Sequence, residues 1–433
     1  MTGRDVSQKN TGLFFRCQAL ILVLLLPVVC QAEVLSLHWL VEEALKNNRE
    51  LLAAQSRLSA YERRIPQAGS LPDPMFLVGY QNDGSSRYTY GDSPDAKWMF
   101  ELSQTFPLAG KRGLRTEMAK TDFAGLKEDY EALRRRTVRS VNESYLDLFL
   151  ACKSLDLIAE KRGLLNHVEE AVLNRYASGM TEQRDVVMAQ TEKYMLLEKE
   201  AMLKQRIQTL EGNLNLAVGR EAGLPLARPP DFLEPSKFEG NPDLLMQKAY
   251  ENAAEIKAKE KMVTASELKV GMAKREFFPD VTLNAGYEQR GNDYTDMYKL
   301  SASVNLPVYF KSRQEPALHE ASAYLQEAKH NLAGTKFMIA SSIRENLAAI
   351  SAADQLMVLY RKSLIPKTRQ DFHASLAAYE TGRTAVEMVI GPLKSILDYE
   401  LLYWTQLSER EKAIARIGVL TGEGIDRFTS QGE

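Results

Sequence analysis

Gly69-Ser70-Leu71-Pro72-Asp73-Pro74-Met75-Phe76-Leu77-Val78-Gly79-Tyr80 is echoed by Pro279-Asp280-Val281-Thr282-Leu283-Asn284-Ala285-Gly286-Tyr287, with the Pro-Asp and Gly-Tyr pairs displaced by 207 positions. Other landmarks keep nearly that distance. Phe106-Pro107-Leu108 matches Leu306-Pro307-Val308 at 200, and Tyr176 with Gly179 matches Tyr379 with Gly382 at 203. Ala217-Val218-Gly219 then matches Leu420-Thr421-Gly422. Ordered landmarks at a near-constant period mark a repeat, so the chain holds two copies of one unit of about 200 residues. Between the copies, the stretch from Gly219 to Pro242 carries Pro225, Pro229, Pro230, Pro235 and Pro242, which makes it an irregular connector. The expected organisation is residues 33–219 for the first copy, 220–241 for the connector, 242–422 for the second copy and 423–433 for a tail.

Each copy opens with a helix, Leu37 to Gln67 and Pro242 to Glu276, that runs into proline and is forced into extended backbone. Beyond the prolines, polar and apolar residues alternate. Val281, Leu283, Ala285 and Tyr287 are apolar between polar neighbours, and Leu300, Ala302, Val304 and Leu306 alternate with Lys299, Ser301, Ser303 and Asn305. The first copy gives Phe76, Val78 and Tyr80, then Trp98, Phe100, Leu102 and Phe106 with Glu101, Ser103 and Thr105 between. Period two marks strands with two unlike faces. A half-buried soluble hairpin is the plain reading. Segments of about 9–11 residues, a polar face suited to a wet lumen, and Tyr80, Trp98, Tyr287 and Tyr298 near the loop-side ends as an aromatic girdle favour a membrane barrel. Four strands cannot close a barrel alone, so the chain must oligomerise.

After each strand pair comes a long helical segment, Arg112 to Arg175 and Arg313 to Tyr379, each about 100 Å long at the helical rise of about 1.5 Å per residue. Leu318, Ala321, Leu325, Ala328, Leu332, Thr335, Ile339, Ser342, Asn346, Ala349, Ala353, Leu356 and Tyr360 follow a heptad spacing, as do Val138, Val141, Tyr145, Leu148, Cys152 and Leu155. Return helices run from Glu182 to Ala217 and from Val386 to Leu420. The first carries a methionine stripe, Met188, Met195 and Met202, beside a leucine stripe, Leu196, Leu203 and Leu210, as a helix with a neighbour on each side requires. Bends are expected at Gly163 and Pro366.

Arg4, Lys9 and Arg16, the apolar run Ala19 to Val29, and Cys30-Gln31-Ala32 read as a signal peptide over residues 1–32 that is cleaved after Ala32. The run is too short to span a bilayer as a helix, and a lipidated Cys30 is the alternative. Cleavage leaves Cys152 as the lone cysteine, with no internal disulfide. A formal net charge of −2 with no basic block argues against a nucleic-acid binder.

Together these features resemble the TolC-like outer-membrane efflux family, with PLAGKR (107–112) especially similar to its heavy-metal efflux branch. GSLPDPMFLVGY and the prolines Pro72, Pro107, Pro279 and Pro307 are similar to the family's strand borders, and RYASGMTEQRDVVMAQ (175–190) and AYETGRTAVEM (378–388) to its hairpin turns. The resemblance implies a mainly α fold with membrane β: a homotrimer whose twelve strands, four from each chain, form an outer-membrane β-barrel continuous with a long periplasmic α-helical barrel, the connector forming an equatorial belt. It implies a passive duct that receives drugs, metal cations or similar solutes from a proton-driven inner-membrane pump through a periplasmic adaptor. The turns at Gly179 and Gly382 would form the periplasmic tip. Asp185 and Glu387 are gate candidates against a plainer reading as first-turn helix acids, and the second copy departs from the family with Gly391 where aspartate is common. Arg184 and Arg383 join the tip candidates, although they read first as solvated helix-end charges.

No catalytic residue, cofactor or metal site is expected. His38, His167, His319, His330 and His373 are scattered, and no phosphate loop or nucleophile set is suggested. The methionine stripes read as packing rather than copper binding. The rivals are a periplasmic coiled-coil tether, which leaves the four alternating segments without purpose, and a stand-alone porin, which leaves the helical rods unexplained.

Overall fold

The computed structural model describes residues 34–423, so the signal-peptide and Cys30 expectations, and the tail beyond Glu423, lie outside the described residues. The elements are helices α1 (Leu37–Asn47) and α2 (Arg49–Gly69), strands β1 (Met75–Gln81) and β2 (Lys97–Phe106), and helices α3 (Lys111–Ala177) and α4 (Gln183–Val218). The second copy repeats them as α5 (Pro242–Asn252), α6 (Ala254–Arg275), β3 (Val281–Gln289), β4 (Met297–Val304), α7 (Gln314–Leu359), α8 (Ile365–Glu380) and α9 (Glu387–Thr421). No helix among the described residues is long and apolar enough to cross a membrane.

The two opening helices are not single. Each breaks at the same place in its copy, at Asn48 and at Ala253. Asn48 caps α2 by accepting from the N–H groups of Glu50 and Leu51, while its own amide donates to Ala217 O at 2.8 Å. The cause is docking against the end of a return helix. Gly219, at φ 93°, lies so close to the α1/α2 break that a Cβ there would come within 2.3 Å of Asn47 O. Gly422, at φ 85°, lies against Asn252 less tightly, a Cβ there coming within 3.1 Å of the Asn252 Cβ, and Arg135 donates to Asn252 O at 2.8 Å. Ala253 holds its extended backbone with no side-chain cap. Packing therefore overrides the best helix-forming residue.

α3 runs unbroken through Gly163. Its counterpart instead contains a five-residue π-turn, Tyr360–Leu364, just before Pro366, with Ile365 N–H donating to Tyr360 O. Proline removes one amide hydrogen and crowds the carbonyl four residues back, and widening the preceding turn relieves both. The heptad seam of α7 also needs correction. Ala328, Thr335, Ile339, Asn346 and Ala353 are buried as expected, but Ile343, Ile350 and Met357 replace Ser342, Ala349 and Leu356. The 3.6-residue turn drifts against a strict 3.5 repeat, so the stripe advances by one position.

Four buried clusters line the helices. One lies near the hairpin turns, from Leu165, Val168 and Val172 to Val389, Ile390 and Leu393. Another pins the start of α1 against α3, and Leu226, Ala227 and Leu233 of the connector pack onto it. The connector forms no helix or strand between Arg220 and Asn241 and crosses the middle of α3 and α9, with Phe232 edge-on to Trp404 at 5.7 Å and Arg228 paired with Asp156 at 2.5 Å.

At the strand-to-helix corner, PLAGKR locks the first copy onto the Pro-Asp of the second. Ala109 and Gly110 both hold left-handed backbone. That turn aims the Leu108 N–H at Asp280 Oδ1, 3.2 Å away, and the Ala109 carbonyl at Arg275. Lys111, with a side chain 2% exposed, donates to Asp280 Oδ1 at 3.0 Å and to Phe278 O at 2.9 Å. Removing one member of a buried pair strands the other, although Asp280 retains some contact with water. Lys111→Met is expected to cost about 2–3 kcal/mol, with part of the loss recovered in Lys111→Met/Asp280→Asn, read from chemical unfolding in detergent.

Candidate functional site: the sheet and the hairpin tips

The strands form one antiparallel sheet in the order β1-β2-β3-β4, so the two copies join through β2 and β3, from Trp98↔Gln289 to Phe106↔Val281. β1 and β4 are the two edges. The register aligns the alternation across the sheet. One apolar row runs Phe76–Leu102–Ala285–Leu300 and another Val78–Phe100–Tyr287–Tyr298. The opposite face has the rows Met75–Ser103–Asn284–Ser301, Leu77–Glu101–Gly286–Lys299 and Thr105–Thr282–Ser303. The four charged residues of the strands, Lys97, Glu101, Glu288 and Lys299, all fall on this second face. Leu102 is 50% exposed and Leu300 77% exposed. Bare aliphatic side chains lie on one face of the sheet and every strand charge lies on the reverse, so the two faces suit unlike surroundings.

The four girdle candidates gather at the loop ends of the strands. Tyr80 is paired with Trp98 and Tyr287 with Tyr298; the Tyr80 and Trp98 ring centroids are 5.1 Å apart. Their hydroxyls turn to the loops, Tyr80 donating to Asn82 and Tyr287 to Asp296. The two loops also hold each other, with Asn292 Nδ2 donating to Gly91 O at 2.9 Å. Pro72, Pro107, Pro279 and Pro307 flank the opposite ends of the strands.

At the far end of α3 the chain turns twice in the same way. Gly179 (φ 70°) and Gly382 (φ 76°) each follow a helix whose last carbonyls are met by two returning amides. Met180 N–H donates to Arg175 O and Gly179 N–H to Tyr176 O; Arg383 N–H donates to Ala378 O and Gly382 N–H to Tyr379 O. Both are Schellman closures, which need a residue free to take positive φ.

The tip candidates divide into those the structure joins and those it does not. Arg184 Nη2 meets Glu387 Oε1 at 2.9 Å, so an arginine that reads as solvated has a partner. The two occupy equivalent positions of the two copies, with opposite charge. Lys394 and Glu192 repeat the link about two turns further on, at 2.8 Å. Asp185 is buried and accepts from the Thr181 hydroxyl. Arg383 stays exposed.

Arg175 is the residue that sequence reasoning missed. Its Nη1 donates to Tyr379 O at 2.6 Å and its Nη2 to Met180 O at 3.1 Å, so it ties one closing turn to the other. Its guanidinium lies 4.9 Å from the centre of the buried Tyr379 ring. An arginine in the last turn of a helix is common for dipole reasons alone, so nothing in the sequence sets this one apart.

Known proteins share this architecture. The family described as outer membrane efflux protein matches residues 40–220 and 245–389. The cobalt-zinc-cadmium resistance protein CzcC of Cupriavidus metallidurans is 21% identical over 90% of this chain and 90% of its own length. The cation efflux system protein CusC of Escherichia coli is 21% identical over 86% of this chain and 83% of its own. The crystal structure of the outer membrane protein VceC from Vibrio cholerae superposes with a TM-score of 0.76 at 21% identity, covering 90% of this chain and 96% of that one. The chain belongs to the outer membrane efflux protein family, and is an outer-membrane channel component of a multi-part efflux system that extends into the periplasm.

Proposed function

We propose that three copies pair β4 of one with β1 of the next into a twelve-stranded barrel, and that the helices stack below it as a hollow periplasmic wall. The observation that carries this reading is the sheet: its charges share one face, its lipid-like face is bare, and its two edges end unpaired. Open edges are not tolerated in hydrocarbon, so neighbours must cover them. Met195 and Met202 of α4, 42% and 63% exposed, give the helical part a surface for an adjacent copy, while Met188 packs inward against the chain's own core. A pore-less tether would have no use for a sheet with these two faces.

In this reading the duct is passive and does no chemistry. Tyr80, Trp98, Tyr287 and Tyr298 sit at the outer lipid interface, and Pro72, Pro107, Pro279 and Pro307 mark the change from barrel to tunnel. The tip at Gly179 and Gly382 meets a periplasmic adaptor and, through it, a proton-driven inner-membrane pump. Arg175 and the Arg184–Glu387 pair hold that tip closed, with Asp185 and Arg383 around them. Similarity to CzcC and CusC supports metal cations as the exported solute.

The test is to purify the protein from membranes in detergent, determine its mass, and record single channels in a planar bilayer. A trimer that conducts is the expected result. A water-soluble species that never conducts refutes it.

A further inference from the structure

The water-facing side of the sheet holds two kinds of charge. Lys97 Nζ and Glu288 Oε2 are 2.6 Å apart, with side chains 17% and 16% exposed, and neutralise each other. Glu101 and Lys299 make no ion pair among the described residues. They share the row Leu77–Glu101–Gly286–Lys299, two strands apart, and the residue between them is a glycine. A Cβ at Gly286 would meet only ordinary contacts of 3.7 to 3.9 Å, so the row holds no side chain between acid and base. Two strand spacings separate their backbones by about 9.6 Å, and no ion pair bridges that gap. Each group therefore keeps its own field in the water beside it. On the helix side the face becomes neutral and hydroxyl-rich: Thr105 and Thr282 hydrogen-bond to each other at 2.9 Å, beside Ser103, Ser301 and Ser303.

We propose that Glu101 and Lys299 set the charge balance of the barrel, forming in the assembled trimer a ring of three acids and three bases whose opposite fields offset one another. The barrel then passes hydrated ions of either sign, and selection by charge there depends on the balance of this one row. The inference rests on the trimeric duct proposed above. A unit charge about 10 Å from an ion in water changes the local ion concentration by about twofold, and three copies compound the effect. At 1 M salt the screening length falls to about 3 Å and the effect disappears.

The experiment is the reversal potential of single channels in potassium chloride gradients. Glu101→Gln is expected to raise the chloride-to-potassium permeability ratio at least about twofold in dilute salt, and Lys299→Gln to lower it by a similar factor. The double variant Glu101→Gln/Lys299→Gln returns to the wild-type ratio, and in 1 M salt all four proteins agree. Conducting channels whose ratio is unchanged in both single variants in dilute salt overturn the ring and leave the duct standing. If the wild-type protein does not conduct, the duct reading falls and the ring with it. The exchanged pair Glu101→Lys/Lys299→Glu keeps the composition of the row, so restoration of the wild-type ratio there supports the ring even if a single variant assembles poorly.

Discussion

Leu102→Arg is expected to remove the assembled channel from the membrane, whereas Ser103→Arg, one residue along the same strand, is expected to leave it in place. Both positions lie in the middle of β2, which is paired on both sides, so neither change touches an edge. Leu102 faces out beside Phe76 and Ala285, and Ser103 faces the opposite way beside Met75 and Asn284. An arginine on the lipid face of a barrel near the bilayer midplane costs about 2–4 kcal/mol. In the proposed trimer three copies multiply that to about 6–12 kcal/mol, comparable with the whole stability of an ordinary domain. An arginine at 103 faces water and costs little beyond its fit in the lumen. The measurement is the amount of heat-modifiable oligomer in outer-membrane fractions. Equal loss in the two variants would mean that the faces have been assigned wrongly or that the sheet does not enter lipid.

The same alternation explains how much of this fold can be read without coordinates. A strand has a period of two, and a strand with lipid on one side, as proposed here, must devote one parity to apolar residues, so Phe76, Phe100, Leu102 and Leu300 announce both their secondary structure and the face they share. The hairpin turns are legible for a similar local reason, because Gly179 and Gly382 meet a requirement for positive φ. What stays hidden is set by partners far away in sequence. Ala253 breaks a helix because its neighbour Asn252 docks against the end of α9. Lys111 looks like an ordinary cation at the start of α3 until Asp280 arrives from the other copy. Arg184 and Glu387 are ordinary helix-end charges in isolation, and only the side-by-side placement of α4 and α9 makes them a pair. The aromatic candidates at the loop ends follow from a pattern of positions, while the tip contacts depend on rotamers and approach angles that no spacing encodes.

In the proposed closed tip, magnitudes decide which contact controls opening. Arg184 and Glu387 are 66% and 41% exposed, and an ion pair so wet contributes about 0–1 kcal/mol, less than about a sixfold shift in any open–closed balance. Arg175 makes two charge-assisted hydrogen bonds to carbonyls of both closing turns and lies over a buried aromatic ring. Its removal leaves the Tyr379 carbonyl without that donor and is expected to cost about 2–3 kcal/mol, about 30- to 150-fold in the balance. Arg175→Ala is therefore expected to give channels that dwell open in a bilayer without any partner. Arg184→Glu gives a small increase, reversed in Arg184→Glu/Glu387→Arg. Tyr379→Phe serves as the control, since the buried Tyr379 hydroxyl has no hydrogen-bond partner among the described residues and the ring that faces Arg175 is retained. Open dwell times in single-channel records separate these outcomes. If Arg175→Ala closes as the wild type does while Arg184→Glu opens, the latch lies between the return helices. If Tyr379→Phe opens as far as Arg175→Ala, the hydroxyl has a partner in the trimer, and closure depends on contact between copies.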